Sequence, residues 1–240
     1  MISVCQGKVG EGKSYHVLNR HVIPHLLSGG VVATNMSIDL QKIKKNYHRN
    51  IFPQQVFRIS ATDSPFDIPC GDFRGHGNRR VIVVLDEALN WFASSTSAND
   101  ERKSTWGKWL RQTDKIGQDV IFIAQSFDRA AKWIRELSQV MISICNLKNV
   151  SFLKFPIGKW LHLDHVYAAS YYDVRSAYLF RWGLHAITSK VYDCYNTSEL
   201  YGFPASSNAY SGLSVAPAFT LPVWPFTLLI FWLLFSWFLV

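Results

Sequence analysis

Hydrophobic residues in the first 150 positions of the chain occur in short runs, separated by amphipathic stretches. The longest runs are rich in β-branched residues at successive positions, which is typical of strands buried on both faces of a sheet. Strands that alternate with helices favour parallel β-α-β units with right-handed crossovers. The pattern therefore predicts an α/β fold whose mostly parallel sheet is flanked by helices. We predict strands at 2–5, 31–34, 56–59, 81–87, 119–125 and 140–145, and helices at 13–25, 100–115 and 128–137.

The pattern changes after Asn149. Aromatic-rich extended segments predict antiparallel additions at the edge of the sheet, at 150–155, 159–166, 175–182 and 190–195. Residues 202–220 are rich in Ser, Gly, Pro, Ala and Asn and contain no charge, which is typical of a flexible linker. We therefore divide the chain into a domain at 1–201, a linker at 202–220 and an apolar segment at 221–240.

The apolar segment from Leu221 to Val240 contains no charged residue. A helix of this length rises by about 30 Å, which is the thickness of the hydrocarbon core of a bilayer. We predict one C-terminal transmembrane helix, with Trp224 at the interface and the basic domain on the cytoplasmic side. On this interpretation the protein is either tail-anchored or the front part of a longer chain.

The first predicted strand is followed by a glycine-rich segment, Gly7-Lys8-Val9-Gly10-Glu11-Gly12-Lys13-Ser14. Glycine, four residues and Gly-Lys-Ser form the spacing of a phosphate-binding loop when they lie between a strand and a helix. Glycines let the backbone approach phosphate oxygens, and the N–H groups at a helix N-terminus attract anions. We predict that Lys13 contacts the β- and γ-phosphates of ATP and that Ser14 binds Mg²⁺. The predicted nucleotide-binding positions are Gly7, Lys8, Val9, Gly10, Glu11, Gly12, Lys13, Ser14 and Tyr15.

Polar side chains end two of the buried strands. Asp86 is predicted as a second Mg²⁺ ligand, and Glu87 as the general base for an attacking water. A carboxylate at Glu87 would also be favoured by the dipole of a helix over 87–94. Gln125 is a candidate for orienting water or sensing the γ-phosphate, and a hydrogen-bonded amide with no catalytic role is an equal alternative.

The formal charge of +8 favours contact with nucleic acid or with an anionic membrane. Arg111 and Arg135 are candidates for an arginine that acts in the site of a neighbouring subunit of a ring, although a surface ion pair is the simpler interpretation of each. The basic segment at 42–49 interleaves Tyr47 with cations, as single-strand binders do. A solvated loop is the favoured interpretation of that segment.

Five motifs and the apolar segment occur together in one order. The motifs are the phosphate loop, Val84-Leu85-Asp86-Glu87-Ala88, the segment 117–126, Trp133-Ile134-Arg135-Glu136-Leu137 and the segment 191–199. The set resembles the zonula occludens toxin family, which comprises inner-membrane assembly and export ATPases of filamentous bacteriophages.

The resemblance implies a Mg²⁺-dependent ATP hydrolase in which Lys13 and Ser14 bind phosphate and Mg²⁺, and Asp86 and Glu87 form the second motif. It further implies homo-oligomers in the bacterial inner membrane that extrude single-stranded DNA and contact coat protein and an outer-membrane pore. A non-hydrolysing scaffold, in which ATP binding only orders subunits at the membrane, is the alternative. Family members often carry a further domain beyond the membrane, and the sequence stops at Val240.

Overall fold

The computed structural model describes residues 1–60, 62–72, 79–87, 98–129, 131–149 and 163–196. Eight strands in these ranges form one sheet. In chain order they are β1 (Ile2–Gln6), β2 (Val31–Thr34), β4 (Val56–Arg58), β5 (Val81–Asp86), β6 (Gln118–Ala124), β7 (Val140–Asn146), β8 (Val166–Asp173) and β9 (Leu179–Ala186). A separate antiparallel pair joins β3 (Ser37–Ile38) to β10 (Tyr195–Asn196).

The strand order in the large sheet is β4-β2-β5-β6-β1-β7-β8-β9. The first six of these strands are parallel, and β8 and β9 are added antiparallel at one edge. This confirms the predicted α/β class, the mostly parallel sheet and antiparallel additions after Asn149. The predicted segment at 150–155 and the first half of that at 159–166 lie outside the described residues. Since β6 lies between β1 and β5, the phosphate loop follows one strand and Asp86 ends another, and these two strands are not neighbours.

The helices are α1 (Lys13–Val17), α2 (Ile23–Leu27), α3 (Leu40–Tyr47), α4 (Ala98–Leu110), α5 (Lys132–Leu137) and α6 (Ser189–Tyr192). A π-helical turn at Leu18–Val22 joins α1 to α2, so the single helix predicted at 13–25 is interrupted in its middle. Short 3₁₀ segments occur at Pro53–Gln55, Pro65–Asp67, Phe127–Arg129, Leu147–Asn149 and Leu163–His165.

Hydrophobic side chains fill both faces of the central sheet, as a parallel sheet requires. On one face, α1 and α2 pack against residues such as Cys5 and Ile123. On the other face, Trp106 and Trp109 of α4 pack against Val83 and Phe122. Helices therefore pack on both faces of the sheet, and this packing positions the polar residues at the strand ends.

Two predictions near the C-terminus of the described chain need correction. The segment 190–195 was expected to be extended, but residues Ser189–Tyr192 form α6. Val191 is completely buried, and Tyr192 packs against Tyr15 with ring centroids 5.1 Å apart, so tertiary packing overrides the strand-like composition. The antiparallel strand β8 begins at Val166, where a predicted strand was expected to end.

The predicted linker at 202–220 and the predicted transmembrane helix at 221–240 lie outside the described residues. Within the described ranges, no helix is both long enough and apolar enough to span a bilayer.

Replacing Trp109 tests the packing of α4 on the sheet. The side chain is fully buried and packs against Trp106 at 5.3 Å, while its indole Nε1 finds no hydrogen-bond partner in the described part of the chain. We expect Trp109→Ala to lower the free energy of unfolding by about 3–5 kcal/mol in urea denaturation. Trp109→Phe should cost much less, because a ring still fills most of the space and the indole Nε1 has no hydrogen bond to lose. Equal losses in the two variants would contradict this account.

Candidate nucleotide site

The glycine-rich loop connects β1 to α1, and two of its glycines have backbone angles that favour glycine. Gly10 has φ 79° and Gly12 has φ 88°, both in the left-handed region. Gly12 directly precedes α1, so the loop ends at a helix N-terminus. Cβ atoms at Gly10 and Gly12 would meet no heavy atom within 4 Å, so the backbone angles, and not a lack of space, favour glycine at these positions.

Gly7 is needed for a different reason, which is close packing. A Cβ atom at this position would lie 2.7 Å from the backbone oxygen of Ile144 and 2.9 Å from the Glu11 carboxylate. Real Cβ contacts are longer, so a side chain here would push the loop away from β7. Gly7 therefore fixes the start of the loop against the neighbouring strand.

The side chain of Lys13 already lies inside the loop. It is 8% exposed, and its ammonium Nζ donates to the backbone oxygen of Lys8 over 2.9 Å. Glu11 is also buried, and its carboxylate accepts the Lys8 N–H over 2.7 Å. The loop is thus closed by one cation and one anion of its own, and the Lys13 ammonium is positioned where phosphate oxygens would bind.

The Ser14 hydroxyl donates to Asp86 Oδ2 over 2.8 Å, which joins α1 to the end of β5. Asp86 is 4% exposed. Burial raises the pKa of its carboxyl above the ordinary value, and the charge of Glu87 adds to the effect, while the Ser14 hydrogen bond and the charge of Lys13 oppose it. A buried carboxylate held in this way gains a strong favourable interaction when a cation arrives.

The side chain of Asn35 holds the backbone of Asp86 with two hydrogen bonds. Asn35 Nδ2 donates to the Asp86 carbonyl over 2.7 Å, and the Asp86 N–H donates to Asn35 Oδ1 over 2.8 Å. Asn35 follows β2, the strand that pairs with β5. It was not among the predicted site residues, although it directly follows a buried strand, and Asp86 likewise lies at a strand end.

Glu87 follows β5 with φ 53°, which is unusual for a residue other than glycine. This angle is not helical, so a helix beginning at Glu87 does not form at that residue; positions 88–94 of the predicted helix lie outside the described residues. Glu87 and the phosphate loop both lie at the carboxyl ends of the parallel strands. The register shows this, because Asp86 of β5 pairs with Ile123 of β6, and Gln6 of β1 pairs with the next residue, Ala124. Gln125 follows β6 at this edge and is exposed.

Three other predicted site residues lie further from the loop interior or face away from it. Tyr15 is fully buried, and its hydroxyl accepts the backbone N–H of Thr188 over 2.8 Å, which leaves only its backbone N–H for a phosphate. Arg111 is exposed and directly follows α4, in the connection that leads to the start of β6. It therefore lies toward the amino ends of the parallel strands, whereas the phosphate loop lies at their carboxyl ends. Arg135 of α5 is half-buried, and its Nε has no hydrogen-bond partner in the described ranges.

The residues present fit a nucleotide with Mg²⁺. Mg²⁺ in such sites takes one or two protein ligands and completes its shell with phosphate oxygens and water. Ser14 and Asp86 supply an oxygen pair 2.8 Å apart beside the Lys13 ammonium. Among the described residues, no group of three or more His, Cys, Asp or Glu side chains could hold a metal ion.

A phosphate-type loop between β1 and α1, at the edge where β5 presents Asp86, defines a P-loop NTPase-like α/β fold. The sequence profile of the family described as Zonular occludens toxin (Zot) matches residues 1–168. Since the match covers more than half of the chain, the chain belongs to the Zot family.

The Gene 1 protein of Enterobacteria phage fd is 26% identical over 226 residues, which cover 87% of this chain and 62% of the relative. The Gene 1 protein of Enterobacteria phage I2-2 is 28% identical over 159 residues, which cover 65% of this chain and 42% of the relative. The chain thus spans less than two thirds of the length of these relatives.

Among solved structures, the N-terminal domain of zonular occludens toxin from Neisseria meningitidis aligns with a TM-score of 0.45 and 17% identity, covering 81% of this chain and 98% of that one. The genome packaging NTPase B204 from Sulfolobus turreted icosahedral virus 2 aligns with a TM-score of 0.42 and 15% identity, covering 78% and 97%.

Removing the Asn35 amide should destabilise the site and the fold together. In Asn35→Ala the Asp86 N–H and carbonyl lose their partners in a buried place, so we expect a loss of roughly 2–4 kcal/mol in the free energy of unfolding. Asn46→Ala is the matched control, because Asn46 donates to the exposed Lys190 carbonyl over 2.9 Å and makes only a long contact of 3.7 Å with Cys194 Sγ. The control should lose about 1 kcal/mol or less in the same urea titration. A loss at Asn35 no larger than at Asn46 would show that the two hydrogen bonds contribute little.

The raised pKa of Asp86 predicts a pH-dependent stability difference in the absence of divalent cations. A carboxyl whose pKa is raised by folding binds its proton more tightly in the folded state, so wild-type stability falls as pH rises above the ordinary value of 3.8. Asp86→Asn removes this dependence, and its stability relative to wild type should therefore increase with pH through that window. Urea unfolding at a series of pH values measures the difference.

Asp173→Asn is the control with the opposite sign. Hydrogen bonds from the Ser176 backbone and hydroxyl lower the pKa of the Asp173 carboxyl. Its stabilising effect is lost as pH falls below 3.8, so the stability of this variant relative to wild type should decrease as pH rises through that lower range. If the stability of both variants relative to wild type changed with pH in the same direction, burial would be ruled out as the cause of a raised Asp86 pKa.

Proposed function

We propose that the chain is a membrane-anchored, Mg²⁺-dependent ATPase that drives assembly and export of filamentous phage particles containing single-stranded DNA. The observation that carries the proposal is the contact of Ser14 with Asp86 at 2.8 Å beside the buried Lys13 ammonium. A glycine-rich turn without a nucleotide does not require a serine of α1 and a buried carboxylate at the end of β5 to converge.

Each residue has a chemical task in this proposal. The backbone N–H groups of the loop and the Lys13 ammonium bind phosphate oxygens, and Ser14 and Asp86 hold the metal ion. Bound Mg²⁺ and ATP supply charge neutralisation and the transferable phosphoryl group. Glu87 accepts the proton of the attacking water, and Gln125 orients that water from the end of β6. Arg111 and Arg135 are kept as candidates for acting in a neighbouring subunit of a homo-oligomeric ring.

Family membership and the phage relatives support the biological part of the proposal. Members of the Zot family are, by the resemblance described above, inner-membrane ATPases of filamentous phages, and the relatives at 26% and 28% identity come from phages. On this basis the proposed partners are phage coat protein, single-stranded DNA and an outer-membrane pore. The proposed location is the bacterial inner membrane, with the domain at 1–201 in the cytoplasm.

The Glu87→Gln variant separates hydrolysis from nucleotide binding. A glutamine keeps the size of the side chain but cannot accept a proton, so ATP affinity should remain while turnover falls by about 10²–10⁴-fold. Lys13→Ala should lose ATP binding itself. We would measure ATP binding, phosphate release and phage release from cells that carry each variant.

Glu136→Gln is the matched control, because Glu136 is 62% exposed on α5 and pairs only with Lys132 in the described residues. It should leave all three measurements unchanged. ATP binding with no measurable turnover in the wild-type protein, together with normal phage release by Glu87→Gln, would replace the motor with a non-hydrolysing scaffold.

A further inference from the structure

A basic cleft lies on the surface of α3, around the basic segment at 42–49. It has a volume of about 480 Å³ and is lined by Gln41, Lys44, Lys45, His48 and Asn50. Clefts of about 300–1,000 Å³ hold small ligands, so this one has room for a nucleotide-sized group. None of its lining residues has a role in the nucleotide site described above.

The local sequence explains how these side chains come to face the same space. Asp39 caps α3 by accepting the Lys42 N–H over 3.0 Å, and Ile43 is completely buried, which turns the opposite side of the helix to solvent. Residues three and four apart then lie side by side, which groups Gln41 with Lys44 and Lys45. His48 has φ 53° and ends the helix in a left-handed turn, which returns the chain toward the same cleft.

The charge of the cleft is positive and is not balanced nearby. The lining contains two lysines and no carboxylate. Asp39 is the acidic residue of this segment, and it lies 3.8 Å from Lys42. On the packed element α6, Lys190 and the adjacent Asp193 offset each other in formal charge. The described residues offer no ion-pair partner to Lys44 or Lys45, so their charges are available to an anion.

We propose that this cleft binds the sugar-phosphate backbone of single-stranded nucleic acid. Lysines neutralise phosphates, and amide side chains such as Gln41 and Asn50 hydrogen-bond to phosphate and sugar oxygens. Phe52, two residues after Asn50, is 64% exposed and offers a ring on which a base can stack. The binding site is argued from the cleft itself, and only the identification of the bound strand as the exported cargo rests on the proposed function.

The geometry of α3 favours a nucleic acid strand over a membrane surface as the ligand. A helix that lies on a membrane inserts an apolar face into the lipid. The apolar residue at the centre of α3, Ile43, is instead buried in the protein core. The exposed side of α3 is polar and carries the basic cleft, which suits an extended polyanion.

The test uses the full chain and a fluorescein-labelled oligothymidylate without ATP. Lys44→Gln/Lys45→Gln keeps helix propensity while removing two charges, and it should weaken binding by about tenfold or more. It should also reduce the slope of log Kd against log salt by about 1.4, which is two phosphate contacts at about 0.7 each for a single strand. Phe52→Ala should weaken binding about fivefold without changing the slope, because stacking is not ionic.

Two controls match these variants. Lys108→Gln/Lys115→Gln removes the same charge at exposed positions at the end of α4 and beyond, and Phe66→Ala removes a ring that is 51% exposed. Both should bind the oligonucleotide like wild type. If both double lysine variants weakened oligonucleotide binding equally, the effect would come from net charge alone, and the proposed site would be wrong. Loss of binding to phosphatidylserine vesicles, with oligonucleotide binding intact, would assign the cleft to a membrane and also overturn it.

ATP turnover in the absence of DNA distinguishes failure of this inference from failure of the proposed function. The cleft variants should hydrolyse ATP at the wild-type basal rate, since none of the altered residues contacts the phosphate loop. Lys13→Ala should keep oligonucleotide binding while losing ATP binding. If Lys13→Ala weakened oligonucleotide binding as much as Lys44→Gln/Lys45→Gln does, the DNA contact would lie at the phosphate loop and not on α3.

Discussion

The hydrogen bond between Ser14 and Asp86 is the contact on which the rest of the site depends. It reaches across the end of β6, because the strands that precede these two residues are not neighbours. A carboxylate that is 4% exposed is costly unless it is hydrogen-bonded, so the position of Asp86 must be fixed closely. Asn35 provides this by holding both polar groups of the Asp86 backbone, and the register of β5 on β6 provides the rest.

The helix that carries the phosphate loop is held by polar contacts on its far side as well. His16 Nδ1 lies 3.1 Å from the Tyr167 hydroxyl, and Nε2 lies 3.0 Å from the Tyr171 hydroxyl. Burial, with the charges of His21, His185 and two arginines, lowers the pKa of His16 to about 3, so the ring is neutral near pH 7. A neutral imidazole donates from one nitrogen and accepts at the other, so one tyrosine accepts and the other donates. These bonds tie α1 to β8, and the antiparallel edge is therefore part of the support of the loop.

Features that follow from backbone periodicity and strand-end geometry were predictable from the sequence. The buried run that ends in Asp86 and the glycines before Lys13 each have a local signal, and the structure brings Ser14 and Asp86 together. Asn35 has the same signal but follows a strand of only four residues, and an amide there has no unique chemical meaning without its partner. The helix at Ser189–Tyr192 was missed because its cause is distant: Val191 and Tyr192 pack on a core that includes Tyr15.

The nucleotide site and the basic cleft use different physical means to attract an anion, and a short segment of the chain links them. The phosphate loop relies on backbone N–H groups and one buried lysine, whereas the cleft on α3 relies on exposed side chains that salt can screen. Between them, residues 35–39 lead from the amide that holds Asp86 to the cap of α3, and Ile38 is fixed by its pairing with Tyr195. Met36 is buried at 4% exposure, so this connection is anchored just before β3 as well as by the strand pairing. If a nucleic acid strand is bound at α3, a force on that strand acts on α3 itself. Residues 35–39 form a short, anchored connection from α3 to Asn35, which is hydrogen-bonded to the backbone of Asp86.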